Sequence, residues 1–518
     1  MQFLDQPIEF TLQRDHATPT WAARVDAPGL LAFCAAVHAA ERRLVALWGS
    51  DERDRDADLG YALHVAFDLA EGLACLTLPL ATENPEFPDL SLPFPAAERM
   101  QRALRDLLGV RPDAGDQRPW LRHANWPADY YPLRRDTPAV TPAHFAATNE
   151  GYAFVRVEGD GVHEIAVGPI HAGIIEPGHF RFSAMGEGVL RLEQRFGWVH
   201  KGIGRRFVGM GLAEGARLAG RVSGDSTVAY AWAYSQAAET ISGSEPPPRA
   251  LWLRALLLER ERVANHLGDL GYLGNDVALA FGLTQFMRLR EDWIRLNARL
   301  FGHRLLMDRI VPGGVAVDLD ATGVQAIIDQ CHTFRHEVRK LKAIYDEHAG
   351  LQDRFLTTGR VTPKLARRLG VIGLAGRASG QRWDLRCNHP CAPYDQLTPQ
   401  MAIERNGDVA ARALVRFAEI AESLLLIQRI VSEMPDGSVR SEIRSAANQR
   451  ACGWIEGWRG DVFVALETGV DGKVRGCHCH DPSWQNWPAL EHAVIDNIVP
   501  DFPLINKSFN LSYSGPDL

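Results

Sequence analysis

Residues 168–179 read GPIHAGIIEPGH, and the rest of the chain is arranged around this stretch. One glutamate, Glu176, and two histidines, His171 and His179, lie among three glycines and two prolines, a composition typical of a loop. The setting around Glu176 is apolar and rich in turns, so partial burial is expected to raise its pKa toward the range of a proton-transfer group. The alternative is an ordinary loop whose polar side chains are solvated.

Alternating runs flank this loop on both sides. Residues 154–167 alternate with period two around a GDG turn, and residues 180–192 do so around MGEG. Each pattern predicts a β-hairpin with a glycine turn. The loop is therefore expected to be a junction held by a small antiparallel sheet.

Residues 1–145 have the pattern of a separate α/β domain. Its predicted elements are a helix over 30–48, strands over 61–67 and 73–80, and a helix over 96–108. The aromatic and arginine-rich segment 120–136 follows. It is interpreted as a partner-binding strip, as an extended loop lying on a neighbouring domain, or as a solvated linker.

Beyond Trp198 the apolar residues recur at helical spacing. Helices are predicted over 205–219, 228–241, 250–269, 280–300, 321–345, 402–431 and 488–498. Their length favours a bundle, and a late hairpin is predicted over 462–475. The predicted fold class is α+β, with the N-terminal α/β domain followed by a small antiparallel sheet and a large, mostly helical bundle domain over residues 146–518.

The composition is that of a globular protein. The 518 residues are 46% hydrophobic and 23% charged, which excludes a disordered or fibrous chain, and the net charge of -8 argues against a nucleic-acid binder. No apolar run approaches the ~18 residues that a membrane crossing needs. We see no secretory signal at the N-terminus, so we expect a cytoplasmic location in which the eight cysteines stay reduced.

The string Cys477-His478-Cys479-His480 is the most metal-like feature of the sequence. Successive residues of a strand point to opposite faces, so two of these side chains at most can converge. A structural zinc site would need a second pair of ligands, which Cys387 and Cys391, with His389 between them, are able to supply. The alternative, which we prefer, is a strand without a metal.

Two further charged groups have a structural and a functional interpretation. Asp225 precedes a predicted helix, where it is expected to cap the free backbone N–H groups, and Arg221 is a possible ion-pair partner. Arg459, between Trp458 and a glycine, is expected either to project over a cavity or to clamp a domain corner through a bidentate pair.

One predicted helix carries three ionisable residues on its inner side. Glu259 and His266 are two turns apart on one face, and Arg262 lies between them. A shared, satisfied core position is the expected use of this face.

The chain resembles a known family over nearly its whole length. From residue 150 onward it is similar to the large subunit of group 4 membrane-bound nickel-iron hydrogenases, of the formate hydrogenlyase type, and to the large peripheral subunit at the quinone site of respiratory complex I. The strings that carry this resemblance are GPIHAGIIEPGHFRF from Gly168, GWVHKGIGRR from Gly197, LERERVANHLGDLG from Leu258, VPGGV from Val311, WDLRCNHPCAPYD from Trp383, RNGDVAARALVR from Arg405, EGWRGD from Glu456 and DPSWQNW from Asp481. Residues 1–145 resemble the smaller complex I subunit, through RDLLGV from Arg105 and DYYPLRRD from Asp129.

The resemblance implies a catalytic site, but this chain lacks the cysteines that would hold its metal. Glu176 matches a hydrogenase glutamate that passes protons to and from the metal centre, and Arg459 matches an arginine above the active cavity. Nickel and iron are held there by two C-x-x-C motifs, because thiolates bind soft metals. This chain has Ser223-Gly224-Asp225-Ser226 and Ser512-Tyr513-Ser514-Gly515 in their places, so no metal ligand and no hydrogen activation is predicted.

The quinone-binding pair of complex I is not matched either. Its histidine falls at Ile175 or Glu176 and its tyrosine at Gly224. Tyr230, and His171 or His179, are the predicted substitutes.

The resemblance implies a peripheral subunit on the cytoplasmic side of a membrane-bound, energy-converting oxidoreductase complex, with Glu176, Arg459 and Asp225 as catalytic groups. Expected partners are an iron-sulfur small subunit and antiporter-like membrane subunits. The chain itself is expected to bind no cofactor other than a possible quinone, since the cysteine spacing for a cluster is not found. The alternative is a structural docking subunit with a vestigial cavity.

Overall fold

The computed structural model describes all residues except 15–17, 56–58, 124–125, 128, 139–150, 172 and 174. It has the predicted α+β architecture: a mixed N-terminal sheet, small antiparallel sheets, and long helices in the second half. The predicted domain boundary at residue 145 lies outside the described residues.

The N-terminal domain is built on a five-stranded sheet in the order β1-β2-β5-β4-β3, in which only β2 and β5 are parallel. Its elements are β1 (Thr11–Arg14), β2 (Thr20–Arg24), α1 (Ala27–Ala39), β3 (Leu44–Asp51), β4 (Tyr61–Leu69), β5 (Gly72–Leu80), β6 (Glu86–Phe87), α2 (Ala97–Leu108) and β7 (Arg111–Pro112). The helix predicted over 30–48 is wrong beyond Ala39. Residues 44–47 are all buried in the sheet, and a short apolar run in a buried strand has no alternation that distinguishes it from a helix.

The small sheet around the loop has three antiparallel strands, β8 (Val162–Val167), β9 (His179–Met185) and β10 (Gly188–Arg195). The β9–β10 hairpin confirms the prediction for 180–192. The first predicted hairpin is wrong, because residues 154–157 form no strand and β8 pairs with β9 instead. The 168–179 loop is therefore the connection between two adjacent strands, not a junction between hairpins.

The second half is mainly helical. Its elements are α3 (Ile203–Phe207), α4 (Leu212–Ala219), α5 (Thr227–Ser242), α6 (Pro248–Asp276), α7 (Ala280–Phe301), β11 (Ile310–Val311), β12 (Gly314–Val315), α8 (Ala321–Glu347), α9 (Ala349–Phe355), α10 (Pro363–Leu369), α11 (Gly373–Ala378), α12 (Leu385–Asn388), α13 (Tyr394–Leu397), α14 (Val409–Glu433), β13 (Arg450–Glu456), β14 (Asp461–Thr468), β15 (Val474–His480), α15 (Ser483–Ala493), α16 (Phe502–Phe509) and α17 (Ser514–Asp517). Helix α14 begins later than predicted, where Asp408 accepts a hydrogen bond from the Ala411 N–H at 2.8 Å. None of the described helices combines the length and the apolar character that crossing a membrane requires.

The segment after α2 lies on the large domain, which agrees with one of its three interpretations. Trp120 is buried edge-on against Phe196 at 5.5 Å between ring centroids, and Asp106 accepts its backbone N–H at 2.7 Å. Further along, Arg135 donates to the Arg475 carbonyl at 2.9 Å. The contacts of Trp120 with Phe196 and of Arg135 with Arg475 join the two domains.

The inner face of α6 carries a buried network of charges, as predicted, but His266 is not fully satisfied, because its Nδ1 has no hydrogen-bond partner among the described residues. His266 Nε2 lies 2.7 Å from Glu419 Oε2, and Arg377 reaches Glu419 Oε1 at 2.7 Å. Arg262 is fully buried and donates to the backbone carbonyls of Glu456 and Gly457, at 2.9 and 3.1 Å. The network therefore ties α6 and α14 to the turn that follows β13.

Replacement of Glu419 by alanine is expected to destabilise the fold by about 3–5 kcal/mol, because the buried Arg377 loses an ionic partner. Glu433→Ala, at the C-terminal end of α14, removes a half-exposed partner of Arg429 and is the matched control, with an expected change within about 0.5 kcal/mol. Urea denaturation of the purified chain measures both. Equal unfolding midpoints for the two variants would contradict the role given to Glu419.

Candidate functional site

Asp225 and Arg459 form the centre of the site. The Arg459 guanidinium donates to both carboxylate oxygens of Asp225, at 2.7 and 2.5 Å, and to Ser226 Oγ at 3.2 Å. Arg459 is buried, whereas the Asp225 side chain is 37% exposed. Loss of solvent opposes ionisation of Asp225, but the charge and hydrogen bonds of Arg459 outweigh it and lower the pKa of the carboxyl below its ordinary value.

This pairing decides between the alternative roles of both residues. Asp225 does not cap α5, whose first turn receives no side-chain hydrogen bond from its N-cap, Ser226. Arg221 pairs with Asp308 at 2.7 Å rather than with Asp225. Arg459 is a clamp: its Nε also donates to the Asn510 carbonyl at 2.6 Å. Helix capping, predicted for Asp225 as the default, is therefore wrong, because the side chain turns toward the Arg459 charge.

Three serine hydroxyls extend from this ion pair and form what we call the hydroxyl chain: Ser223, Ser512 and Ser514. Ser223 Oγ donates to Asp225 Oδ1 at 2.8 Å, Ser512 Oγ lies 3.1 Å from Ser223 Oγ, and Ser514 Oγ lies 3.3 Å from Ser512 Oγ. All three serines are buried. The segments 223–226 and 512–515, which are far apart in the sequence, thus meet in the fold.

Glu176 lies at the outer end of the hydroxyl chain. Its Oε2 accepts the backbone N–H of Ser514 at 3.1 Å, so it contacts the second of these segments directly. The predicted burial of Glu176 is wrong, because its side chain lies on the exposed side of the loop, where Ile175 is exposed as well. The structure brings Asp225 and Arg459 into contact, and Glu176 is connected to this pair through Ser514 and the hydroxyl chain.

The three predicted cofactor-binding residues are engaged within the protein. His171 Nε2 lies 2.9 Å from the Gly178 carbonyl, and His179 Nδ1 lies 3.0 Å from the Gly168 carbonyl, so both rings brace the loop. The Tyr230 hydroxyl is fully buried and donates to Asp481 at 2.7 Å. A cofactor role for these residues stays a prediction.

Asp517 and Lys201 are two ionisable residues of the site that sequence reasoning missed. Asp517 is buried and accepts the backbone N–H groups of Gly197 and Val199 at 2.9 Å. Burial raises its pKa to about 7, and the nearby negative charge of Glu176 acts in the same direction. Lys201, inside the quoted string GWVHKGIGRR, donates to the Val222 carbonyl at 2.8 Å. The sequence around Asp517, Gly515-Pro516-Asp517, carries no signal of this burial.

The Cys477–His480 string is a strand with two faces, as its alternation predicts. The sulfur atoms of Cys477 and Cys479 lie 4.0 Å apart on one face, and the two histidines lie on the other. The possible second ligand pair lies elsewhere in the fold: His389 pairs with Asp68 at 3.2 Å, and the Cys387 thiol donates to a carbonyl at 3.3 Å. All eight cysteines lie in the described part of the chain, and none of them forms a disulfide.

Comparison with known proteins gives the family. The family model of the respiratory-chain NADH dehydrogenase 30 kDa subunit matches residues 23–143, and that of the 49 kDa subunit matches residues 276–451. Formate hydrogenlyase subunit 5 of Escherichia coli is 31% identical over 482 residues, which cover 92% of this chain and 84% of the relative. The chain belongs to this family of hydrogenase and complex I subunits.

Two further proteins are similar to this chain in sequence or in fold. The C/D subunit of NADH-quinone oxidoreductase from Phocaeicola vulgatus is 25% identical over 82% of this chain and 84% of its own length. A chain of the membrane-bound sulfane sulfur reductase, an archaeal respiratory membrane complex, superposes with a TM-score of 0.65 at 23% identity, covering 69% of this chain and 99% of that one. The second likeness concerns the fold alone.

Replacement of Asp517 by asparagine is expected to change how stability depends on pH. The folded pKa of about 7 lies above the ordinary value of 3.8, so the unfolded chain ionises first as the pH rises, and this residue's contribution to stability falls between these two values. Asparagine keeps the acceptor oxygen and cannot ionise. Thermal unfolding of both proteins at several pH values measures the difference in their unfolding temperatures. The variant should gain stability relative to the unaltered chain as the pH rises from 4 to 8. Parallel pH profiles of the two unfolding temperatures would contradict the raised pKa of Asp517.

Proposed function

We propose that this chain is a peripheral-arm subunit of a membrane-bound redox complex, located on the cytoplasmic side of the membrane. Its relatives carry the names of hydrogenase, hydrogenlyase and NADH-quinone oxidoreductase subunits, which supports this role. In the proposed complex an iron-sulfur subunit delivers electrons beside the site, and antiporter-like membrane subunits respond to proton movement there.

The site is proposed to handle protons without a nickel-iron centre. At the positions that correspond to the four thiolates of the hydrogenases, this chain has Ser223, Ser226, Ser512 and Gly515. Hydroxyl groups are poor ligands for soft metals at neutral pH, so the donor set does not fit nickel. The observation that carries the proposal is the hydroxyl chain that ends on the Asp225–Arg459 ion pair, since it joins the two segments by hydrogen bonds alone.

A quinone is the proposed electron acceptor, by analogy with the NADH-quinone oxidoreductase relative. His171, His179 and Tyr230 are its proposed contacts. Binding through Tyr230 requires its hydroxyl to exchange Asp481 for the ligand, because a phenol carries a single O–H donor.

A structural docking subunit with a vestigial cavity is the second candidate. It is favoured by one specific observation: the polar groups of the site pair with one another, and both loop histidines brace the backbone. A docking subunit would tolerate loss of Glu176 and Asp225 without loss of turnover.

Metal analysis of the purified complex, combined with a hydrogen-uptake assay, tests the proposed metal-free site. We expect nickel far below one equivalent and no hydrogen uptake, because the thiolate ligands are replaced. Stoichiometric nickel together with hydrogen turnover would overturn this part of the proposal.

Replacement of Glu176 by glutamine tests the proton role in the assembled complex. The glutamine side chain keeps an oxygen that can accept the Ser514 N–H but cannot carry a proton, so coupling of electron transfer to proton movement should fall at least about tenfold while the complex still assembles. Glu187→Gln, at an exposed turn of the same sheet, is the matched control and should leave coupling unchanged. Unchanged coupling in the Glu176→Gln variant would remove this residue from the mechanism and favour the docking subunit.

A further inference from the structure

Two cysteines from different domains meet at the domain junction. Cys75 lies on β5 of the N-terminal sheet and Cys452 lies on β13 of the large domain, 377 positions further along the chain. Their sulfur atoms are 3.9 Å apart, so the two thiols are in contact. Neither residue belongs to the hydroxyl chain or to the ion pair at the proposed proton site.

The two strands belong to sheets that pack face to face. Trp48 of β3 contacts Phe463 of β14 with 5.3 Å between ring centroids, and it stacks on His478 of β15 at 5.6 Å. Cys75 and Cys452 pack against the same cluster of apolar side chains between the sheets. Such a position, between two packed sheets, is where sandwich domains carry an inter-sheet disulfide.

Small neighbours leave the two sulfur atoms room to turn. Cys75 is paired with Ala22 of β2 on one side and with Ala66 of β4 on the other, and Cys452 is paired with Ala465 of β14. Paired residues point to the same face of a sheet, so these methyl groups are the nearest side chains within each sheet. A disulfide bond is about 2.05 Å long, so each sulfur has to move by roughly 1 Å, which lies within reach of a rotation about the Cα–Cβ bond.

An open cavity of about 400 Å³ gives access to both cysteines, which line it. Both residues are partly exposed. Strand β5 is flanked by β2 and β4, so the exposed surface of Cys75 belongs to its side chain rather than to its backbone. Thr11 and Gln13 of β1, both exposed, lie at the mouth of the cavity. A small molecule therefore reaches the two thiols from solvent.

The hydrogen bond between the thiols gives them different roles. The pKa of Cys75 is raised well above its ordinary value, first by the hydrogen bond to Cys452 and then by burial. Cys75 therefore keeps its proton and donates it to the Cys452 sulfur. Because the thiolate is the nucleophile in thiol–disulfide exchange, we assign the first attack to Cys452.

We propose that Cys75 and Cys452 form a dithiol site that closes to an interdomain disulfide when it is oxidised by a small-molecule disulfide. Cys452 attacks one sulfur of the small disulfide, whose S–S bond breaks, and the leaving thiolate takes up the proton that Cys452 has lost. Cys75 then attacks the Cys452 sulfur and releases the second small thiol, which takes up the Cys75 proton. The two cysteines lose two electrons, and the small disulfide is reduced to two thiols. The proposal is independent of the proton site and of the redox role.

The test uses the purified, reduced full chain and 2-hydroxyethyl disulfide as the oxidant. After the remaining thiols are blocked with N-ethylmaleimide, peptide mass spectrometry should find residues 75 and 452 in one linked pair, at least about tenfold more abundant than any other cysteine pair. The closed loop should increase mobility in a non-reducing gel, and a reductant should reverse this change. Because the link restricts the unfolded chain, the oxidised protein should unfold at a temperature about 2–5 °C higher.

Serine variants separate the two steps. Cys75→Ser should stop at a mixed disulfide on Cys452, and Cys452→Ser should leave Cys75 unmodified; Cys75→Ala serves if Cys75→Ser does not fold. Cys387→Ser removes a partly exposed thiol elsewhere, and this control should form the link as the unaltered chain does. Absence of the linked pair, separate blocking of both cysteines by N-ethylmaleimide after oxidation, or a mobility change that persists in Cys75→Ser would overturn the proposal.

Discussion

The geometry of the site depends on one buried arginine, Arg262, which lies outside the site. Arg262, in the middle of α6, donates to the carbonyls of Glu456 and Gly457, the last residue of β13 and the first of the turn that carries Arg459. A fully buried guanidinium must be paired, and here backbone carbonyls take that role alongside carboxylates. The position of the Arg459 turn is therefore set by the helix core, with Glu419, His266 and Arg377 completing the charge balance behind it.

Backbone proximity fixes the same turn from the other side. A side chain at Gly373 would meet the Arg459 carbonyl at 1.8 Å, so only glycine permits this approach of α11 to the turn. The Trp458 indole donates to the Asp225 carbonyl at 2.9 Å and joins the turn to the segment before α5. Arg459 thus meets Asp225 in a geometry that both the core and the surface layer enforce, and the opposite charges largely cancel within the site.

The sequence predicted the parts of this arrangement that depend on pattern. The fold class, most long helices and the β9–β10 hairpin follow from periodicity, and the family's strings single out Asp225, Arg459 and Glu176 as site residues. Periodicity gave the wrong element for β3, because this strand is buried on both faces and shows no alternation. It also gave the wrong partner for β8, which pairs with β9 across the 168–179 loop. The exposure of Glu176 and the burial of Asp517 depend on contacts between segments more than 300 positions apart, which local sequence does not encode.

The hydroxyl chain has a direction. Each serine has one proton to donate: Ser223 gives its proton to Asp225, so Ser512 must donate to Ser223, and Ser514 to Ser512. Such a row conducts a proton by reversing every bond, which leaves it pointing away from the ion pair. Three buried side chains then have to rotate back before a second proton can follow. The Gly515 N–H donates to Ser512 Oγ at 2.9 Å in either orientation, whereas the ionised Asp225 carboxylate can only accept, so it is the carboxylate that favours the original direction of the row.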